Sequence, residues 1–272
     1  MIHKFFTFLL FTTLISCTDG EVDQEETTWY KPTPAISFDW DLRDNIPADI
    51  TYNAAIIDID GFENSSEFVA NLKADNKKVF AYISVGSIED WRSDVADFPS
   101  EVIGNNYPGW DGEKFIDISN IDALAPIMRA RLDMVKAKGF DGIEPDNMDL
   151  HSWTTTELGF EITETDVINY AKWLAEEAHS RGLSIGQKNA SDLSEELVNV
   201  FDWILLEDPF FENYQDEAQT YIDHNKAVFA TEYTDNTSSE TFSETVCAQA
   251  NALQYTAILK HRELDAFIET CE

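Results

Sequence analysis

Positive charge is what this chain has least of. Eighteen lysines and arginines stand against 52 aspartates and glutamates, a net charge of -34. A surface of that sign repels nucleic acid and anionic membrane, which argues against polyanion binding, and it would concentrate a cationic ligand; on charge alone, solubility in a salty or crowded exterior is the preferred account of the excess. The five histidines show no His-Glu-x-x-His spacing, and there is no Gly-x-Ser-x-Gly elbow and no glycine-rich phosphate loop. No cysteine is left for catalysis once two of the three are paired, as argued below. No metal and no cofactor is therefore expected. The first apolar run, Phe5 to Ile15, is too short to span a membrane comfortably. What the chain does have is 272 residues, 43% of them hydrophobic, enough for a large core.

The N-terminus points to export. Met1 to Lys4 supply a basic start, and the apolar run ends Leu14-Ile15-Ser16-Cys17, which resembles a bacterial lipoprotein cleavage box. Residues 1–16 are expected to be a signal peptide and Cys17 the lipidated first residue of the mature chain, the membrane being touched through that anchor only; the competing reading is a plain secretory signal with an incidental cysteine. Cys247 and Cys271 then remain as an even pair in an oxidising compartment, and a disulfide between them would tie the end of the chain to the last helix. Residues 17–28 are polar and acidic and read as a flexible tether. One folded domain, 29–272, follows. The expected location is the bacterial cell envelope, periplasmic or cell-surface, and the expected state is a monomer.

Within the domain, short β-rich runs alternate with helical ones. Candidate strands are Ile36–Trp40, Ala54–Asp58, Val79–Ser84, Asp141–Glu144, Ser184–Lys188, Trp203–Glu207, Ala227–Glu232 and Asp265–Glu269, with Phe115–Ile118 as an accessory strand. Ile121 to Lys138 sets Leu124, Ile127, Met128, Leu132 and Val135 on one helical face, and Gly139 stops it. Thr163 to Arg181 opens on a capping-box pattern, Thr163 with Asp166, and stops at Gly182. Eight strands interleaved with helices predict an α/β chain folded as a (β/α)8 TIM barrel, a single domain, rather than an open sheet.

In such a barrel the strand ends carry the chemistry. Here the second strand ends in Asp58 and Asp60, and the third in Tyr82 and Ser84. The fourth runs into Glu144-Pro145-Asp146-Asn147, the fifth into Lys188-Asn189, the sixth into Glu207-Asp208, and the seventh into Glu232-Tyr233. One acidic strand end is ordinary, but several on one rim raise the pKa of a member and make it a usable acid. Glycosidic cleavage needs that pairing of a protonated and an ionised carboxyl.

The stretches 79–92, 138–147, 178–189 and 226–233, which hold the Ala81-Tyr82-Ile83-Ser84, Glu144-Pro145-Asp146-Asn147, Gln187-Lys188-Asn189 and Thr231-Glu232-Tyr233 runs, resemble glycoside hydrolase family 114. Its members are endo-α-1,4-polygalactosaminidases, barrel enzymes that cut galactosamine-containing polysaccharide. The resemblance covers nearly the whole domain with its motifs in order, and Cys247 and Cys271 resemble a C-terminal pair in the family. It implies Asp146 and Glu207 as the catalytic pair, Asp146 as nucleophile and Glu207 as acid/base in a retaining mechanism, with Glu144 a close rival. Two stretches depart from the family pattern. Asp208-Pro209 replaces a commoner Gln-Cys after Glu207, and the loop 148–159 lacks the usual Gly-Tyr, so substrate preference is open to change there.

Each residue has a blander reading. Asp146 and Asn147 suit a helix cap, and Lys188 suits either a neutralising ion pair or substrate contact. Asp58 and Glu232 are candidates for ring hydroxyls or the sugar amine. Among aromatics able to stack on a sugar face, Trp110 in the Pro108-Gly109-Trp110 loop is favoured for contact. The expected substrate site thus comprises Asp58, Tyr82, Ser84, Trp110, Glu144, Asn147, Lys188, Asn189, Glu232 and Tyr233, and the expected partner is a cationic amino-sugar polysaccharide. The competing functions are a surface glycan-binding lipoprotein without turnover, and a barrel hydrolase for another α-glycan.

Overall fold

Strands of four to seven residues carry the architecture. In the structure, a computed structural model describing residues 28–271, they are β1 Phe38–Asp41, β2 Ile56–Asp60, β3 Lys78–Ser84, β4 Gly142–Asp146, β5 Ser184–Lys188, β6 Trp203–Glu207, β7 Val228–Tyr233 and β8 Thr256–Lys260. Each pairs in parallel with the next in that order. The seam between β8 and β1 is held by side chains: Thr256 Oγ1 donates to the Ile36 carbonyl at 2.7 Å, and Lys260 Nζ meets Asp39 Oδ1 at 3.1 Å. The result is a curled (β/α)8 barrel. The expected signal peptide, most of the expected tether and Cys17, the expected lipidation site, lie outside the described residues.

The first seven strands fall within two residues of their expected bounds. The eighth is a correction. Asp265–Glu269 is not a barrel strand; only Glu269–Thr270 pairs there, antiparallel, on the edge of β8. The true eighth strand follows the last helix at once, because Gln254 turns the chain in the left-handed region (φ 62°) without a glycine to mark the stop.

Three long helices are α1 Ser66–Ala74, α2 Ile121–Lys138 and α3 Glu164–Ser180. Helix α2 ends as its sequence predicts, on a left-handed Gly139. Helix α3 opens on the expected reciprocal box, the Thr163 side chain accepting from Asp166 N and the Asp166 side chain from Thr163 N. The last helix, Cys247–Leu253, is joined to the chain end by the disulfide Cys247–Cys271, as the cysteine count predicts. An insertion between β3 and α2 forms a three-stranded antiparallel accessory sheet from Ser87–Glu89, Ile103–Asn106 and Glu113–Ile116.

Alternation along the strands sorts the core into two clusters. Ile57, Ile59, Val79, Ala81, Ile143, Ile204, Leu206, Val228 and Ala230 face the helix layer. Phe38, Trp40, Ile56, Phe80, Trp203, Leu205 and Phe229 fill the barrel, with Phe80 stacked on Trp203 and Phe38 on Phe229. Beneath this aromatic layer the chain entry closes the amino end of the barrel. Trp29 donates to Asp202 Oδ1 at 2.8 Å and stacks on His179, and Ala227 N donates to the Pro32 carbonyl. A cavity of 480 Å³ at this end is bordered by Lys73, Lys78 and Lys136, far from the strand ends that carry carboxylates.

Candidate active site

At the carboxyl end of the strands a cavity of 820 Å³ opens. The inward parity that buries Trp203 and Leu205 on β6 brings Glu207 to its wall; the same parity on β4 and β5 delivers Asp146 and Lys188. Lys188 is the hub. Its Nζ lies 2.9 Å from Glu144 Oε1, 2.8 Å from Asp146 Oδ1 and 3.1 Å from Glu207 Oε2, and 4.6 Å above the Trp40 ring. Burial opposes its charge, but the three carboxylates outweigh that and hold the ammonium well above its ordinary pKa. Because Asp146 and Glu207 share one nitrogen, their facing oxygens can be no further apart than the two contacts end to end, about 5.9 Å.

The remaining lone pairs of the two acids are also used. Tyr82 OH donates to Asp146 Oδ2 at 3.0 Å. Tyr233 OH donates to Glu207 Oε1 at 2.6 Å, and Asn189 Nδ2 to Oε2 at 2.9 Å. Asn189 and Ala190 are both left-handed, a turn held by Gln187 Nε2, which donates to both their carbonyls, while Tyr221 OH fixes the Gln187 amide. Burial pushes Glu207 towards its protonated form, yet the Lys188 charge and the bonds from Tyr233 and Asn189 prevail and hold it below the usual glutamate range. Its side chain keeps 29% of its surface and that of Asp146 17%, so both can meet a ligand.

Of the expected substrate residues, Tyr82, Trp110, Asn147, Lys188, Asn189 and Tyr233 line this cavity. Four do not, and each has a physical reason. Asp58 and Glu144 point inward one layer deeper and are fully buried. Burial, and for Asp58 also the charge of Glu144, raises both, Glu144 to about 8. Neither Asp58 oxygen, nor Glu144 Oε2, has a hydrogen-bond partner among the described residues. Ser84, also fully buried, accepts from Asn147 Nδ2 at 3.0 Å and so positions that side chain instead of touching a ligand. Glu232 has the outward parity of Val228 and Ala230; it accepts from Phe210 N and Thr237 Oγ1 and anchors the loops behind the wall.

The structure adds residues that sequence reading passed over. Trp91, 50% exposed, and Tyr107 stand on the rim beside the expected Trp110, which is 55% exposed. Arg92 clamps Asp60 and Glu89, with contacts of 2.7 and 2.8 Å. Glu113, accepting from Ser87 Oγ, is pushed by burial up to about 7. Asp149 is pushed up to about 6, by burial first and the Asp146 charge second. The available signal was the accessory insertion itself, whose strands bring Glu89 and Glu113 against the mouth. Nine carboxylates and three cations line the cavity, and the cations are committed to acids, so the site favours a cationic ligand. Among the described residues no cluster of three or more His, Cys, Asp or Glu is arranged to hold a metal.

Comparison with known proteins places this geometry. The model of glycoside-hydrolase family GH114 matches residues 20–272. The crystal structure of Aspergillus fumigatus Ega3 in complex with galactosamine is similar at a TM-score of 0.80 and 30% identity, covering 90% of this chain and 98% of that one. The glycoside hydrolase domain of PelA from Pseudomonas aeruginosa shares the fold at a TM-score of 0.68 and 13% identity, over 86% of this chain and 98% of that one. Eubacterium rectale Amy13B shares it more distantly, at 0.53 and 8% identity, over 83% of this chain and 64% of that one. No curated protein sequence gives a match.

Proposed function

The chain belongs to glycoside hydrolase family GH114, and from that premise we propose that it cuts α-1,4-linked galactosamine-containing polysaccharide internally, with Asp146 as nucleophile and Glu207 as acid/base. The observation that carries the reading is the shared Lys188 ammonium, which holds both carboxylates on one wall. An upper limit of about 5.9 Å between the two oxygens that share Lys188 is in keeping with the roughly 5–5.5 Å spacing of a retaining pair. The acid-rich wall suits an ammonium-bearing sugar, and galactosamine is the ligand bound by the similar Ega3.

In the first step an Asp146 oxygen attacks the anomeric carbon as the glycosidic C–O bond breaks, and Glu207 gives its proton to the leaving oxygen. Glu207 rests ionised in the open site. A bound sugar excludes water from it and strengthens burial, the influence that already favours the protonated form. Once Asp146 is esterified its negative charge is gone. Glu207 is then left with Lys188, Asn189 and Tyr233, which favour the ionised form, and it takes a proton from the water that frees Asp146.

The test is turnover of partly deacetylated α-1,4-polygalactosamine, read as new reducing ends. Asp146→Asn and Glu207→Gln keep shape and should each lower turnover by at least about 10²-fold with folding intact. Binding by the unaltered protein with no new reducing ends would instead support the glycan-binding reading.

A further inference from the structure

Beside the catalytic cavity lies a second hollow of 280 Å³ on the accessory sheet, bordered by Asp90, Ile103, Tyr107, Trp110, Asp111 and Glu113. Tyr107, Trp110 and Glu113 belong to both cavities, so the two adjoin. Asp90 and Asp111 are exposed, and neither side chain has a hydrogen-bond or ion-pair partner among the described residues. They differ in this from Asp60 and Glu89, which Arg92 neutralises. Trp110, more than half exposed, borders both this hollow and the catalytic cavity.

The hollow is also built firmly. Asp90 N donates to the Gly112 carbonyl at 3.0 Å, Tyr107 N to that of Glu113 at 2.9 Å, and Glu113 N to that of Trp110 at 3.3 Å. Gly112 is left-handed (φ 94°), and a Cβ there would come within 2.6 Å of Asp90 Oδ1 and 3.1 Å of the Trp91 ring. Glycine suits this left-handed turn, and the three backbone bonds set the loop positions from which Asp90 and Asp111 project.

We propose that this hollow is an outlying subsite that holds a further amino-sugar unit of the same polymer, its apolar face on Trp110 and its ammonium against Asp90 and Asp111. An aromatic plane beside uncompensated carboxylates is what a cationic sugar ring needs, and continuity with the catalytic cavity lets one chain occupy both. The inference rests on the hydrolase reading above and extends it from the bond cut to the length of chain gripped.

The experiment measures binding of fully deacetylated α-1,4-galactosamine oligomers of graded length to Glu207→Gln by calorimetry, and hydrolysis of the same oligomers by the unaltered enzyme. Affinity should rise stepwise with length. The added substitutions Asp90→Asn and Asp111→Asn should cost about tenfold in affinity for the long oligomers and leave the shortest bound one unaffected. Glu195→Gln with Glu196→Gln, two exposed acids on the outer layer, makes the same charge change and should cost nothing at any length. Equal losses for short and long oligomers, or losses matched by that control, would overturn the subsite. If oligomers bind and are cleaved but Asp90→Asn/Asp111→Asn changes nothing, the subsite alone falls. If no oligomer binds at any length, the amino-sugar reading falls with it.

Discussion

Replacing Glu144 by glutamine is the sharpest test of the layer beneath the active site. Glu144 is fully buried, with one oxygen on Lys188 and the other without a partner among the described residues. Burial, against the Lys188 charge, lifts it from an ordinary 4.5 to about 8. The folded chain therefore keeps a proton that the unfolded chain releases across that window. Its stabilising contribution is fully present below about pH 4.5 and is lost as pH climbs through about 8. Each pH unit inside the window removes about 1.4 kcal/mol, several kcal/mol in all. Glutamine keeps the shape and neutrality but cannot titrate, so the stability difference between Glu144→Gln and the parent should shift in the variant's favour at that slope and flatten above about pH 8. For a chain this size about 1 kcal/mol corresponds to roughly 2–4 °C, so the melting-temperature difference between the two proteins should change by about 10 °C from pH 5 to pH 8. Asp58 moves in the same direction: the Glu144 charge that helps to raise it is absent from the variant, which adds to the shift in the variant's favour. Parallel melting curves would refute the account. Turnover lost in Glu144→Gln but kept in Asp146→Asn would move the catalytic role to Glu144.

Three further outcomes follow from particular contacts. A Cβ on Gly86 would sit 1.7 Å from the Asn147 carbonyl oxygen, so Gly86→Ala must push the end of β4 and should lower kcat/KM at least about tenfold, with about 1–3 kcal/mol of stability lost in thermal melts. Breaking Cys247–Cys271, which closes 24 residues, should cost about 2–4 kcal/mol in denaturant titrations; two freely labelling thiols in the non-reduced, denatured protein would show the bridge absent. Cys17→Ala should release the mature protein from membranes in soluble form, and unchanged partition into detergent would count against the anchor.

The sequence reading and the structure part company for identifiable reasons. Helices α2 and α3 were legible because Gly139 and the Thr163–Asp166 box mark their ends chemically. The eighth strand was not, because Gln254 takes the left-handed turn that glycine would have announced. At the site, strands such as β7 are buried on both faces, so alternation cannot tell inward from outward. That one-step ambiguity separates Tyr233, which binds Glu207, from Glu232, which anchors loops behind it. Depth was equally hidden: Glu144 and Asp146 share parity on β4, yet only the second reaches the cavity. Trp91 and Asp149 come to the mouth through irregular turns, for which no periodicity exists to be read.

The chain enters the barrel at the end where Trp29 packs on His179, opposite the mouth. Anything joined ahead of Thr28 therefore acts as a handle on the back of the molecule. A lipid on Cys17 would hang the domain from ten residues, about 35 Å when extended, with its cleft turned outward to whatever polymer surrounds the cell. The same geometry makes the N-terminus the place to couple this domain to a resin or a carrier protein, because a tether there leaves the approach of a long, stiff polysaccharide unobstructed.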